Sequence, residues 1–341
     1  MHLNEKKINL LFFYWLLFSL IFIFVLIVVG GLTRLTNSGL SIIEWELFTG
    51  ILPPLNNETW DLYFSKYKTI PQYKLLNFNM TLDEFKIIFY WEYFHRILAR
   101  FIGLFFLIPL IFFYFSKKIK KKYLINCFAI FLLIVLQGIF GWYMVKSGLV
   151  NNISVSHYRL SIHLTIAILI ISIIFWNLRD LAGEKKKIFF RFSKDYFPFQ
   201  FLLIIIFLQI IVGAFVSGLD AGKIYQTWPL MGESYIPNDI TLKNQYIFFD
   251  FNNHSLVQFY HRNLAYFIII YILYLSLKIF KRKKTTLYAP IKILIGIMLL
   301  QIILGIFTLL SGLNLYLAST HQITGVLLVL SALNLYYFNA K

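Results

Sequence analysis

The chain alternates between long apolar runs and shorter polar connections. Each run has roughly 20 residues, the length that an α-helix needs to cross the hydrocarbon core of a bilayer. Strands of a transmembrane barrel would instead be alternating segments of about 10 residues. The pattern therefore predicts an all-α integral membrane protein with eight transmembrane helices. The predicted spans are 11–33, 93–116, 124–146, 160–178, 197–218, 257–280, 289–311 and 315–338.

Composition supports a lipid environment. Hydrophobic residues make up 59% of the 341 residues, charged residues only 14%, and the mean hydropathy is +0.72. A soluble fold has too little interior to hide this much apolar surface, so the bilayer must be the main solvent. The single cysteine, Cys127, lies inside a predicted span, which excludes an intrachain disulfide and a thiolate metal cluster.

The formal net charge of +17 comes from basic residues that concentrate in alternate connections. The main basic stretches are residues 117–122, 185–194 and 278–284. This asymmetry is the positive-inside pattern, so we expect both termini in the cytoplasm and no binding of nucleic acid. Because the chain shows neither a signal-peptide cleavage pattern nor a transit segment, we expect an uncleaved protein of a bacterial plasma membrane.

The two halves of the chain resemble each other. Residues 136–149, LQGIFGWYMVKSGL, match residues 300–313, LQIILGIFTLLSGL, at seven of 14 positions without a gap. A second pair, WEYFHRILAR and VQFYHRNLAY, keeps His, Arg, Leu and Ala in register. Each half has four spans, an even number, so the halves share one orientation. We therefore predict two pseudo-twofold-related four-helix bundles, 1–190 and 191–341, arranged as a parallel repeat.

Two connections on the predicted outer side are long, residues 34–92 and 219–256, and they could cap a site at that face. Within the first connection, Thr81 and Glu84 stand three residues apart in the pattern of a capping box. We therefore expect a helix to begin there and to continue into the second span.

Four of the seven histidines fall inside predicted spans, one in each even-numbered span and close to its start. They are His95, His163, His261 and His321. Each alone could be a hydrogen-bonded packing residue, but ionisable side chains in a membrane are costly and usually functional. Even-numbered spans run inward under the predicted topology, so all four imidazoles are expected toward the outer leaflet.

The repeat pairs His95 with His261 and His163 with His321, after a six-residue adjustment in the second pair. An ungapped alignment would choose His157 instead, but the deeper position of His163 favours the latter. Two facing imidazoles from neighbouring helices are the axial ligands that a haem needs inside a bundle. We therefore expect two haem sites side by side at similar depth, which suits local chemistry better than electron transfer across the membrane.

Charged residues accompany the first histidine of each half. Arg96 and Arg262 follow these histidines directly, and they could pair with haem propionates, snorkel to the interface, or do both. Glu92 lies three residues before His95, whereas Gln258 holds the matching place in the second half. Glu92 could point into the same cavity and carry protons, or it could only meet headgroups. The difference suggests that the first half reacts and the second assists.

Several motifs resemble those of the haem A synthase family. They are GGLTRLTNSGLSIIEW at 30–45, FKIIFYWEYFHR at 85–96, QGIFGWYMVKSGL at 137–149, YRLSIHL at 158–164, GLDAGKIYQTWPLM at 218–231 and HQ at 321–322. The resemblance covers nearly all of the chain. It implies an oxidoreductase that converts the C8 methyl group of haem O to a formyl group by successive hydroxylations. The product, haem A, serves cytochrome c oxidase.

The resemblance also implies site residues and partners. It places the substrate haem O between His95 and His163, a haem b cofactor between His261 and His321, and Glu92 in catalysis. It implies a haem O synthase as the supplier of substrate and an external electron donor that the chain does not identify. The absence of loop cysteines matches the cysteine-free subgroup of proteobacteria and mitochondria. The sequence is also compatible with a homo-oligomer.

Two other functions are compatible with the same residues. A di-haem b-type electron-transfer protein would hold two redox-active haems, change neither, and give Glu92 no special role. A transporter with parallel repeats would use the histidines and Glu92 as a proton-coupled site and would contain no porphyrin. The difference between Glu92 and Gln258 favours an enzyme over a symmetric electron carrier.

Overall fold

The computed structural model describes residues 5–45, 49–151, 153–183, 189, 193–240 and 248–340. Within these ranges the chain folds into ten α-helices, and its only β-type pairing is an isolated bridge between Met231 and Ser234. The helices are α1 (Glu5–Leu35), α2 (Asn57–Tyr67), α3 (Pro71–Leu75), α4 (Leu82–Ser116), α5 (Lys121–Asn151), α6 (His157–Ala182), α7 (Phe197–Gly218), α8 (His254–Lys281), α9 (Tyr288–Leu310) and α10 (Leu315–Asn339). The basic residues Lys185–Lys187 lie outside the described ranges.

Eight of the described helices, α1 and α4 to α10, are long and apolar enough to cross a membrane. The prediction of an all-α membrane protein with eight spanning helices is therefore confirmed. Many of these helices extend beyond the apolar runs of the sequence, because a helix ends where its caps lie rather than where its apolar residues stop. The longest is α4, with 35 residues.

The start of α4 is set by the capping box that the sequence predicts. The Thr81 hydroxyl accepts a hydrogen bond from the Glu84 backbone N–H at 3.3 Å, and the Glu84 carboxylate accepts one from the Thr81 backbone N–H at 2.8 Å. These bonds satisfy amide groups that the first turn of a helix leaves without partners. One continuous helix thereby carries Glu92, His95 and Arg96.

The chain packs as two compact units, Met1–Ile174 and Phe175–Lys341. Each unit has its own buried core of apolar side chains. The predicted functional halves, residues 1–190 and 191–341, and the pseudo-twofold relation between them stay predictions.

In the first unit α1 packs along α4 through buried aromatic rings. The ring centres of Trp15 and Phe106 lie 4.7 Å apart, and those of Phe12 and Phe113 lie 5.0 Å apart in an edge-to-face arrangement. The Trp15 indole N–H also donates to the backbone carbonyl of Phe105 at 3.1 Å. Because aromatic pairs contribute about 0.5–1.5 kcal/mol each beyond their buried area, this seam holds the two helices side by side.

The connection after α1 folds over the first turns of α4. Helices α2 and α3 pack there through a buried cluster that includes Trp60, Tyr67 and Phe85. The Tyr67 hydroxyl donates to Gln72 at 3.0 Å, and the Gln72 amide donates to the backbone carbonyl of Asn37 at 3.0 Å. Burial raises the pKa of Tyr67, so its phenol keeps the proton that it donates. This network holds the segment that follows α1 against α4.

In the second unit α7 packs against α8 and α10, and α9 packs against α10. The Tyr271 hydroxyl donates to the backbone carbonyl of Pro198 at 2.9 Å, which joins α8 to the start of α7. The Gln200 amide donates to the hydroxyl of the buried Tyr336 at 3.0 Å, which joins α7 to α10. These long-range bonds hold both α8 and α10 against α7.

Candidate functional site

Each of the four span histidines packs against a glycine on the spanning helix before it. A Cβ atom at these glycines would lie 2.8–3.2 Å from the imidazole Cε1 atom, closer than packed side chains normally approach. The pairs are Gly30 with His95, Gly141 with His163, Gly213 with His261 and Gly305 with His321. We call these glycines the glycine seats. At every seat the Cε1–Nδ1 edge of the ring faces the preceding helix, and only glycine leaves room for it.

The glycine seats also bear on the choice between His157 and His163. The seat on α5, Gly141, faces His163. His157 is the first residue of α6, and its ring lies beside Tyr158 with a centre-to-centre distance of 4.0 Å. This arrangement supports His163 as the counterpart of His321.

Glutamines contact the two histidines of the second unit. Each stands one helical turn before the glycine seat of its helix. Gln209 Nε2 lies 3.2 Å from His261 Nδ1 and donates to the backbone carbonyl of His261 at 3.0 Å. The backbone carbonyl of Gln301 lies 3.1 Å from His321 Nδ1, and its side-chain nitrogen lies 3.4 Å from His321 Nε2.

The rings of His261 and His321 face each other with centres 6.5 Å apart and planes at 75°. Metal–imidazole bonds are about 2 Å long, so two imidazoles on one metal atom have ring centres roughly 6 Å apart. The observed spacing therefore fits a haem iron held from both sides. Because the Gln301 carbonyl can only accept a hydrogen bond, His321 Nδ1 carries the ring proton. His321 Nε2 then has the lone pair that a metal requires.

The first unit also has a glutamine that contacts one of its histidines, but through the backbone of the histidine and not through the ring. Gln137 donates to the backbone carbonyl of His163 at 2.9 Å. The Nδ1 atoms of His95 and His163 are buried and have no hydrogen-bond partner among the described residues. Buried polar atoms without partners are rare. These two lie on the ring edge that faces the glycine seat, which leaves Nε2 as the nitrogen that could bind a metal.

Histidine pairs of this kind suit a haem better than a bare metal ion. The described part of the chain contains no group of three or more His, Cys, Asp or Glu residues that could hold such an ion. A haem brings its own equatorial nitrogens, so its iron needs only axial ligands from the protein. The residues present therefore fit a haem in each unit.

Glu92 is buried, and its carboxylate accepts four hydrogen bonds. Oε1 accepts from Arg96 Nε at 3.1 Å and Nη2 at 2.5 Å. Oε2 accepts from the Ser41 hydroxyl at 2.7 Å and from the Ile42 backbone N–H at 2.9 Å. Such charge-assisted bonds are stronger than neutral ones. The carboxylate is thus directed at these donors rather than at lipid headgroups, and it ties the segment after α1 to α4.

Arg96 completes this arrangement, which we call the Glu92–Arg96 clamp. Its Nη2 donates to the backbone carbonyl of Ile42 at 2.8 Å, and its Nη1 donates to that of Glu44 at 3.3 Å. The guanidinium carbon lies 5.1 Å from the centre of the Trp45 ring. These acceptors take four of the five N–H donors of Arg96, so one N–H of Nη1 is left for an acceptor such as a haem propionate.

In the second unit Gln258 stands where the first unit has Glu92. Gln258 donates to the backbone carbonyl of Tyr225 at 2.9 Å. Arg262 donates to the backbone carbonyls of Tyr225 at 3.0 Å and Leu230 at 3.2 Å. Among the described residues Arg262 forms no ion pair, so its charge is available to an anionic group such as a propionate.

The glycine seats and their glutamines were not predicted from the sequence. A signal for them exists, because Q-x-x-x-G occurs at 137–141, 209–213 and 301–305. The contacts of Ser41 and Ile42 with Glu92 were also missed. These contacts join positions 51 and 50 residues apart, and no local pattern indicates them.

Comparison with known proteins gives a single family. Residues 13–333 match the COX15-CtaA family, described as cytochrome oxidase assembly protein. The chain is 48% identical over 336 residues to the heme A synthase of Pelagibacter ubique (strain HTCC1062), with 96% of both chains covered. It is 42% identical over 334 residues to the heme A synthase of Rickettsia canadensis (strain McKiel), with 95% of this chain and 96% of the relative covered. It is 41% identical over 328 residues to that of Flavobacterium psychrophilum, with 94% of both covered.

The family match spans residues 13–333, the part of the chain that holds the four seated histidines and the Glu92–Arg96 clamp. The chain therefore belongs to the COX15-CtaA family of cytochrome oxidase assembly proteins, the haem A synthase family that its motifs predict.

Proposed function

We propose that this protein is a haem A synthase, an oxidoreductase that converts the C8 methyl group of haem O to a formyl group by successive hydroxylations. One observation carries the proposal: four half-buried histidines on glycine seats, in a chain whose near-full-length relatives are named heme A synthase. Two pairs of axial ligands suit a reaction in which one haem is the substrate and a second haem is the cofactor.

We assign haem O to His95 and His163, and haem b to His261 and His321. The ring spacing of the second pair and the Gln301 backbone carbonyl at His321 Nδ1 support a haem that is held permanently. The Nδ1 atoms of the first pair have no partner among the described residues, which supports a ligand that is held less firmly. Arg262 is the arginine whose charge is best placed to meet a propionate in the second unit.

The bound haems supply the redox chemistry, and the chain's own residues position them and handle protons. The two histidine pairs would hold the haems, while the Glu92–Arg96 clamp holds the segment that contains Ser41 and Ile42 one turn from His95. Hydroxylation moves protons as well as electrons, and Glu92 is the group that we propose exchanges them. To take a proton at Oε1, Glu92 must release Arg96, which couples proton transfer to a loosening of the clamp.

We also propose that the haem sites lie toward the outer face of a bacterial plasma membrane, with both termini in the cytoplasm. The basic stretches 117–122 and 278–284 lie at the C-terminal ends of α4 and α8, whereas His95 and His261 lie nearer the N-terminal ends. The substrate would come from a haem O synthase and the electrons from an external donor. A homo-oligomer is compatible with this arrangement.

Pigment analysis tests the proposed function. The protein is produced together with a haem O synthase and purified in detergent, and its haems are extracted in acid and separated chromatographically. We expect haem A or its hydroxylated precursor together with haem b. Haem b alone, with haem O left unconverted in the cells, would favour a di-haem electron-transfer protein instead. A protein without any haem would favour a transporter.

A further inference from the structure

The long connection of the second unit folds down along the side of α8. The indole N–H of Trp228 donates to the Tyr266 hydroxyl at 3.0 Å, and the Tyr235 hydroxyl donates to the side-chain carbonyl of Asn263. We call residues 228–230 the second tip. These two hydrogen bonds tether the second tip beside α8 rather than above the start of the helix.

The tether at Tyr266 lies at the depth of the bilayer. Lys278, the first residue of the basic stretch after the apolar run of α8, follows Tyr266 by 12 residues. At a rise of 1.5 Å per residue this separation is about 18 Å. The hydrocarbon core is about 30 Å thick, and a tilt of the helix lowers the height further. Because Lys278 marks the level at which α8 leaves the hydrocarbon, the second tip reaches below the opposite boundary of the hydrocarbon.

The first unit has a tether at the corresponding position of the repeat. Arg100 stands where the second unit has Tyr266, and its Nη1 donates to the backbone carbonyl of Gly50 at 3.1 Å. Lys117, the first basic residue after the apolar run of α4, follows Arg100 by 17 residues, which is about 26 Å along the helix. We call residues 50–52 the first tip. It is therefore held close to the same boundary of the hydrocarbon.

Both tips present large apolar side chains at their surface. Ile51 and Leu52 are exposed in the first tip, and Trp228 and Leu230 are exposed in the second. Exposed apolar patches usually mark a binding surface. Tryptophan is enriched where membranes meet water, because its ring is apolar while its N–H finds a polar partner, as Trp228 does at Tyr266.

The backbone of the tips also suits an apolar environment. The Leu230 carbonyl accepts hydrogen bonds from Arg262 Nη1 at 3.2 Å and from the Thr227 hydroxyl at 2.9 Å, and the Ile51 carbonyl accepts one from the Tyr93 hydroxyl at 2.6 Å. Irregular backbone enters a bilayer only where such polar groups are satisfied by the protein. Residues without a backbone N–H to satisfy occur in or beside both tips, and they are Pro53, Pro54 and Pro229.

We infer that the two tips are lipid-binding anchors, which seat their apolar side chains between the headgroups and acyl chains of the leaflet that faces the N-terminal ends of α4 and α8. The partner is the lipid surface itself, whichever haem the histidines hold. Each anchor fixes the depth of the helix to which it is tethered. It thereby fixes the depth of His95 and His261, which lie five residues from the tethers at Arg100 and Tyr266.

Spin labelling tests the anchors in the full-length protein. Leu52→Cys and Leu230→Cys each carry a nitroxide, and the protein is reconstituted into vesicles of phosphatidylethanolamine and phosphatidylglycerol. Power saturation measures collisions of the nitroxide with O2, which concentrates in hydrocarbon, and with a water-soluble nickel chelate. Each collision rate is the increase over the same sample without reagent, so a fixed contribution of a bound haem cancels. Cys127 is buried, so the unmodified protein should take up little label.

Four reference variants calibrate the measurement. Ser65→Cys in α2 and Asn252→Cys before α8 place the label at exposed polar positions outside the apolar runs. Ile108→Cys in α4 and Ile270→Cys in α8 place it at exposed positions within the apolar runs. We expect the ratio of O2 to nickel collisions at both tips to be shifted from the two water references toward the two lipid references.

A ratio equal to that of the water references at either tip would overturn the inference. Low collision rates with both reagents would overturn it as well, because a protein surface rather than lipid would then cover the tip. If a tip variant does not assemble, Ile51→Cys or Ile236→Cys replaces it, since Ile236 follows the tethered Tyr235. A protein that contains no haem but shows the shifted ratio would count against the proposed function and leave the anchors intact.

Discussion

The ring of His321 fills the space in which a side chain of residue 305 would lie, so only glycine fits at this position. A methyl group there would lie 2.8 Å from Cε1 and 3.3 Å from Nδ1, so the ring would have to move from its present position. We expect Gly305→Ala to lower the affinity for haem b about tenfold or more, the usual effect of misorienting a metal ligand. The measurement is haem b per protein after purification, determined as the pyridine haemochrome.

The matched control is Gly296→Ala on the same helix, where an added Cβ meets no atom within 4 Å. It should keep the haem b content of the unmodified protein. If both variants lost haem equally, the effect would come from glycine replacement in α9 in general and not from the seat under His321.

The Glu92–Arg96 clamp makes a second prediction at the scale of residues. Glu92→Gln keeps the shape of the side chain but leaves Arg96 buried without its anion, which typically costs about 3–5 kcal/mol. Haem O should still bind because His95 and His163 are unchanged, whereas conversion to haem A should fall by about 100-fold or more if Glu92 handles protons. The ratio of haem A to haem O in extracted pigment measures this.

The control is Glu84→Gln, which changes an exposed carboxylate of the same helix. Its conversion ratio should stay at that of the unmodified protein. Unimpaired conversion in Glu92→Gln would remove Glu92 from the mechanism and leave it only the structural role that its four hydrogen bonds show.

The histidines could be identified from the sequence because an ionisable residue inside an apolar run is conspicuous by itself. The glycine seats could not, because glycine is common in membrane helices and only the partner ring shows which one matters. Gly141 and Gly138 illustrate this: they lie on one helix, but only Gly141 faces a histidine.

At the scale of elements, α4 depends on its capping box for its early start. We expect Thr81→Ala to lower the stability of the protein by about 1 kcal/mol, because one of the first amide groups of the helix loses its acceptor. A small fall in Tm in detergent should show this, with unchanged haem content because Glu92 and His95 lie several turns further along α4.

Thr69→Ala is a suitable comparison, since the exposed Thr69 hydroxyl donates to the backbone carbonyl of Lys66 and caps no helix start. Its Tm should match that of the unmodified protein. An equal fall in Tm for both variants would contradict the role of the capping box. The sequence predicted this box because its spacing is local, but it could not predict that α2 and α3 fold over the same turns of α4.

At the scale of the whole molecule, the membrane topology can be tested with introduced cysteines. Cys127 is the only cysteine of the chain and is buried, so background labelling should be low. Ser65→Cys in α2 and Thr286→Cys before α9 both lie at exposed positions. We expect a membrane-impermeant maleimide to label Ser65→Cys in intact spheroplasts, and Thr286→Cys only after the membrane is opened. The reverse pattern would invert the topology that the basic stretches predict.

The number of spanning helices, the internal repeat and the four histidines could be read along the chain, because hydrophobic length and residue type are local properties. The contacts between residues that are distant in the sequence were decided only by tertiary packing. The structure shows that Gly30 lies against His95 and that Glu92 is bound by Arg96, Ser41 and Ile42. Such contacts depend on how a folded connection and neighbouring helices bring distant residues together. Hydrophobic periodicity encodes the face that a helix buries, but not the partner that it meets.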